Sequence, residues 1–166
     1  MSVVEEAMKK AAVAWISVGG APATAVWCLW LDGALYVVSG PGEQPAPGLA
    51  EAATGAGVPV AVSARGDHGG RIVTWPATAS RVEPDSADWQ AVAPQLAAKR
   101  LNSPGGAEET IARWAAGGTI ARLVPAGEPV EEGPSLSDAS EAAPPRPTPA
   151  AAVTRRPFRL HRVRRR

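Results

Sequence analysis

Two stretches of this chain hold residues that could bind an anion. Residues 39 to 50, SGPGEQPAPGLA, place three glycines and three prolines in twelve positions directly after the apolar run ALYVV. Backbone N–H groups in a Gly-rich nest or at a helix N-terminus hold phosphate, and Gly40 and Gly42 permit the backbone geometry this needs. Against that, three prolines remove three donors, and Glu43 puts a negative charge where the anion would sit. The stretch reads either as a ligand-contacting loop or as a rigid connection from strand to helix. The second place is the turn GDHGG, residues 66 to 70, flanked by Arg65 and Arg71. Two guanidiniums there could grip a phosphate bidentately, or they could be the solvated end of a hairpin. His68 has no second histidine or cysteine near it, so no metal site is expected.

Other chemistries have no foothold. The chain contains no G-x-S-x-G, no Walker loop, no Rossmann glycine fingerprint and no Cys–His pair, which removes the usual bases for a hydrolase or nucleotidase reading. Its single cysteine, Cys28, sits in an apolar run and cannot form an intrachain disulfide, which fits a reducing, cytoplasmic setting. The N-terminus is not read as a signal sequence, because Glu5 and Glu6 stand where positive charge is required. No apolar run reaches the ~18 residues that read as a membrane span. Residues 1 to 128 carry 9 Lys/Arg against 12 Asp/Glu, whereas residues 129 to 166 carry 8 Arg against 4 acids, so a near-neutral total hides an acidic body and a basic tail.

The elements that must position these residues follow from periodicity and punctuation. Residues 2 to 12 form an amphipathic helix with Ser2 as cap and Val4, Met8 and Ala11 on one face. Strand-type runs cover 12–18, 24–31 and 34–39, the last two joined by Asp32-Gly33, a strong hairpin signal. A short alanine-rich helix, LAEAATG, precedes strands over 58–66 and 71–83; Pro76 puts the latter at an edge or in a bulge. From Asp85 the pattern turns helical, with Trp89, Val92, Leu96 and Leu101 sharing a face and Pro94 dividing the run into two helices. GAEETIARWAAGG is a further helix with Ile111, Trp114 and Ala115 on one side, and 119–125 is a sixth strand. Of the six tryptophans, Trp15, Trp27, Trp30 and Trp75 lie on strands, and alternation sends Trp27 and Trp30 to opposite faces.

Short antiparallel connections make a mainly β fold the economical solution: a six-stranded antiparallel β-barrel with peripheral helices over residues 1–128. Residues 129–152, rich in Pro, Ala, Ser and acids, are expected to be a disordered linker. Residues 153–166 include TRRPFRLHRVRRR, with seven arginines in thirteen positions, a tail that could contact nucleic acid, another polyanion or an acidic partner.

Gly20-Ala21-Pro22, Ala25-Val26-Trp27, Asp32-Gly33 and Ser39, followed by VPVAVSARGDHGGRIVTWPATASRVEPDSADW, resemble the split-barrel superfamily of pyridoxamine 5′-phosphate oxidase-like proteins, including the actinobacterial branch that uses FMN or the deazaflavin F420. The resemblance covers roughly residues 5 to 128. It implies a split barrel, a homodimer with the cofactor between subunits, and flavin- or F420-dependent oxidoreductase activity on a small molecule; a non-catalytic cofactor-binding or adaptor protein is the alternative. The implied cofactor contacts are Trp27, Val38, Ser39, Gly40 and Gln44, with Arg65 and Arg71 as phosphate anchors, and no catalytic residue is singled out. The lysine that in this family opens the helix after strand three is missing, since Glu43, Gln44 and Pro45 occupy its segment.

Overall fold

The computed structural model describes residues 2–100, 103–139, 141–144 and 148. Helix α1 (Val3–Lys10) is followed by strands β1 (Val13–Val18), β2 (Thr24–Leu31) and β3 (Ala34–Ser39), the short helix α2 (Leu49–Ala53), strands β4 (Val60–Arg65) and β5 (Arg71–Val82), helices α3 (Ala87–Lys99) and α4 (Ala107–Gly117), and strand β6 (Thr119–Pro125). The strands run antiparallel in the order β4-β1-β2-β3-β6-β5, and pairing of β4 with β5 closes them into a six-stranded barrel. Leu101 lies outside the described residues, and so does the basic tail 153–166.

Local signals explain most of these boundaries. Ser2 caps α1 by accepting the Glu5 N–H at 3.2 Å. At the β2–β3 hairpin, Asp32 (φ 48°) and Gly33 (φ 76°) supply the two left-handed residues that a tight antiparallel turn requires. Pro76 is accommodated without breaking the barrel. Its carbonyl accepts from Ala126 N–H, so its backbone polar side faces away from β4, towards the place where β6 ends at Pro125.

Two layers of packing define what remains open. Val26, Cys28, Leu35, Val37, Val62, Val73, Trp75 and Leu123 fill the barrel interior, which α1 closes with Val4 and Met8 and α2 closes with Leu49. Trp30 joins this interior, edge-on to Trp75 at 6.3 Å. On the outside of β3 and β6, Tyr36, Val38 and Ile120 pack under Trp89, Val92, Leu96 and Trp114 of α3 and α4. Every residue of β3 is therefore buried. By contrast β1 and β4 alternate strictly between buried and half-buried residues, because no helix covers their outer side. Trp27 faces outward and Trp30 inward, as alternation requires.

Three expectations need correction. Residues 87–99 form one helix with Pro94 inside it. The proline lies on the exposed side, and Gln95 Nε2 donates to the Ala91 carbonyl one turn back at 2.7 Å, while Val92, Ala93, Leu96 and Ala97 hold both halves against the barrel. In α4, Thr110 is buried with Trp114, and Ala115 faces solvent. The expected disordered linker is in part docked: Glu131–Glu132 (β7) pair with Val73 and Thr74 of β5, a turn of 3-10 helix spans Gly133–Ser135, and Ala142 bridges to Ala23. Composition underestimated this segment because its anchors are polar, as the site below makes plain. Among the described residues no helix is long and apolar enough to cross a membrane.

The interior has a chemical consequence for its only thiol. Cys28 is 1% exposed, and burial pushes its pKa up to about 12 from 9.0. Native protein is expected to resist iodoacetamide at neutral pH and to react fully once unfolded. Above pH 9 the unfolded thiol ionises while the folded one stays protonated, so this group lowers stability as pH rises from 9 towards 12. Cys28→Ala should flatten that alkaline loss in urea titrations, and an unchanged alkaline slope would show that burial does not set the titration.

Candidate functional site

The loop after β3 carries an anion of its own. Glu43 is only 1% exposed at its side chain and accepts from Arg100 Nε at 2.7 Å, Arg113 Nη2 at 3.2 Å and Trp114 Nε1 at 3.0 Å. Arg100 also donates to the Gly42 carbonyl and sits 5.9 Å from the Trp27 ring. Gly40 is required by close approach: a Cβ there would lie 2.8 Å from the Cα of Gly118, and its φ of 139° disfavours any side chain. Gln44 Oε1 accepts the Trp27 N–H at 3.0 Å, supplying a ladder bond where β2 has parted from β3. Two guanidiniums and an indole N–H thus converge on one carboxylate. The carboxylate fills the interior of the loop.

The sequence-derived candidates fall into two groups. Trp27, Ser39, Gly40 and Gln44 gather around this loop, with Ser39 buried at the β3–β6 pairing opposite Thr119. Val38 belongs to the helix-covered cluster, 2% exposed, so its side chain reaches no open surface. Arg65 and Arg71 pair across the far end of the β4–β5 ladder, where the register shifts by a bulge. Sequence reasoning missed Arg100, Arg113 and Trp114, and took Glu43 only as an obstacle. The one available signal was a carboxylate inside a Gly/Pro loop, which needs a cationic partner if it is buried.

At the hairpin, the two arginines differ in environment. Arg65 stacks over the Trp15 ring at 4.2 Å and donates to the Gly69 carbonyl at 3.3 Å. Arg71 is 4% exposed at its side chain and is held by the C-terminal segment: it donates to the carbonyls of Ala139 at 2.6 Å and Ser137 at 2.7 Å, and pairs with Glu131 and Glu141, each at 3.3 Å. It is no solvated hairpin end. His68, at the tip, is exposed, and no metal-binding cluster occurs among the described residues. Beneath the segment runs a cleft of about 440 Å³ whose lining includes Ser17, Ser63, Thr74, Arg65, Arg71 and Glu141.

Between the two groups lies the outer face of β4, β1 and the first half of β2, which no helix covers, whereas Leu29 further along β2 is packed under α3. Pairings Trp15↔Ala25, Trp15↔Ser63 and Val13↔Trp27 set Trp15 and Trp27 side by side on neighbouring strands, all half-buried. This face presents two indoles at one end and a guanidinium at its edge.

Among solved structures, the chain is similar to the heme storage protein HutZ from Vibrio cholerae, with a TM-score of 0.52 and 17% identity over 76% of this chain and 89% of that one. A Listeria innocua protein assigned as a pyridoxamine 5′-phosphate oxidase gives a TM-score of 0.52 and 16% identity over 76% and 94%. The chain has the split-barrel fold. The sequence matches no protein-family model and no curated protein. Identity this low carries the fold of the split barrel, and its chemistry must be argued from the residues above.

Glu43 offers a direct test of the filled anion site. Glu43→Ala leaves two half-buried guanidiniums without their shared carboxylate, which should lower the stability of the split barrel by about 1.5–3 kcal/mol. Added phosphate or formate should then raise the melting temperature of the variant more than that of the wild type, as a small anion enters the vacated place. Equal responses of both proteins would show that the pocket collapses instead of receiving an anion.

Proposed function

We propose that this split barrel binds FMN or F420 on the uncovered face of β4, β1 and β2, as a homodimer with the cofactor between subunits, and acts as an oxidoreductase on a small molecule in the cytoplasm. The observation that carries this reading is the half-buried, outward-facing pair Trp15 and Trp27, set between a cationic hairpin end and the β3 loop. A ring system stacks on such indoles, and a second copy of the face would shield it from water. The names of the similar structures, a heme storage protein and an assigned pyridoxamine 5′-phosphate oxidase, support a cofactor-binding split barrel in general. His68 is the only histidine among the described residues and stands at an exposed hairpin tip, which favours a flavin over a heme that needs an axial ligand.

The residues present fit the ring better than they fit the phosphate. Glu43 already fills the loop after β3, so the phosphate is assigned to Arg65 and Arg71 at the hairpin, the cations nearest the open face. Trp15 and Trp27 would orient the ring, and Ser63 and Thr74, hydrogen-bonded to each other at 2.8 Å, would offer hydroxyls along the way. When bound, a flavin supplies the hydride or electron transfer itself, and the protein's part is position, electrostatics and exclusion of water.

The filled loop also favours a second reading, in which the split barrel serves assembly and the tail 153–166, outside the described residues, contacts nucleic acid or another polyanion. Its linkage to salt would be steep.

Titration of the purified full chain with FMN and with F420, followed by cofactor fluorescence, tests both. Saturable binding to one of them, weakened about tenfold or more by Trp15→Ala or Trp27→Ala, is the expected result. No binding to either, with salt-dependent affinity for a DNA duplex that disappears on replacing Arg164, Arg165 and Arg166 by Ser, would overturn the oxidoreductase reading in favour of the second. For assembly, sedimentation should give a dimer that Ala25→Arg, beside Trp15 on the open face, converts to monomer. A wild-type monomer at all concentrations would remove the intersubunit site.

A further inference from the structure

We infer that residues 131–142 are a displaceable strap, and that an anionic ligand competes with it for Arg71. This rests on the reading that a phosphate-bearing ligand ends at the Arg65/Arg71 hairpin, and it adds how access to that place is governed.

The strap supplies Arg71 with what a phosphate monoester would supply: negatively charged and neutral oxygens in the plane of a guanidinium. Two carbonyls, of Ser137 and Ala139, and two carboxylates, of Glu131 and Glu141, converge on it within 3.4 Å. Nη1 and Nη2 are engaged by strap oxygens, and Nε, beside Glu131, is buried beneath them without a hydrogen bond, so a ligand oxygen reaches this guanidinium only where a strap oxygen leaves. Ligand and strap are alternatives at one site.

The strap is also held weakly compared with the barrel. Its described residues are half-buried or exposed, and Val130, at its entry, is 65% exposed, so they bury little apolar surface. Apart from Arg71, its attachments are short. Two residues of β7 pair with β5, the Val130 N–H donates to the Thr74 carbonyl, and around the Ala23/Ala142 bridge Ala23 N–H donates to the Glu141 carbonyl and Ala143 N–H to the Ala23 carbonyl. An element anchored by one ion cluster and a few edge hydrogen bonds belongs to the low-stability end of a fold.

Its course gives the competition a consequence. The strap leaves the edge of β5 and returns to the start of β2, so it passes over the outer side of β5, β4 and β1 and roofs the cleft lined by Ser17, Ser63 and Thr74. Displacing it would both free Arg71 and bare the part of the sheet face next to Trp15. Occupation of the anion site and exposure of the sheet are thereby coupled.

The test uses the full chain, with FMN, riboflavin (the same ring without a phosphate) and inorganic phosphate as probes, and amide hydrogen exchange over residues 129–144 as readout. Saturating FMN should speed exchange at Val130 and Ala143 while riboflavin leaves it unchanged. Glu131→Gln combined with Glu141→Gln should tighten FMN by about fivefold or more with riboflavin affinity unaltered. If FMN binds while strap exchange slows or stays the same, and the double variant gains nothing, the strap inference fails and the flavin reading stands. If FMN does not bind, the FMN form of the reading fails, and inorganic phosphate decides the strap: faster exchange in the segment, stronger in the double variant, supports it, and no effect overturns it. Arg71→Ala should open the strap without any ligand, and unchanged exchange in that variant would also overturn the inference.

Discussion

The pairing of β4 with β5 constrains everything else in this molecule. By joining the ends of the strand order β4-β1-β2-β3-β6-β5, it turns a sheet into a closed wall with an interior to be filled and an exterior of limited helical cover. Trp75, Trp30, Leu35 and Leu123 fill the interior, and α1 and α2 stop its ends. The two longer helices then lie over β3 and β6, because Val38, Tyr36 and Ile120 make that outer face apolar. What remains, the outer side of β4, β1 and the first half of β2, is uncovered by helix as a geometric remainder of closure.

How much of this could be read beforehand depended on how far apart in the chain the interacting groups lie. Asp32-Gly33 announces its hairpin because the turn chemistry is contained in two residues, and the alternation in β1 and β4 is legible for the same reason. Trp27 and Trp30 were correctly sent to opposite faces by a rule that needs only their spacing. Pro94 misled, since proline's local cost was weighed without the four apolar residues around it that hold the helix to the barrel. The Glu43 cluster was illegible: its partners Arg100 and Arg113 lie 57 and 70 residues away, and nothing local distinguishes them from surface cations. The docked segment after Gly127 was lost to composition, because a count of apolar residues does not register that one buried arginine, 66 to 68 residues earlier, can organise carbonyls.

The two arginine clusters are variations on one electrostatic theme, and burial separates their roles. A guanidinium removed from water must be met by oxygens, and in both places the chain provides them from its own carboxylates. The Glu43 side chain is 1% exposed, wedged between α4 and the barrel, and its removal would leave two half-buried cations without their shared anion. That cluster is structural. Glu141, by contrast, is 59% exposed and reaches Arg71 from a segment with scarcely any apolar anchorage, so water can replace it at small cost. Where the family resemblance implies a phosphate-binding lysine, this chain has an internal carboxylate, whereas Arg71, at the opposite end of the open face, is met in part by an exposed one. On the proposed reading, an anionic ligand enters at Arg71, past the strap, with its apolar part directed along β4 and β1 towards the tryptophans.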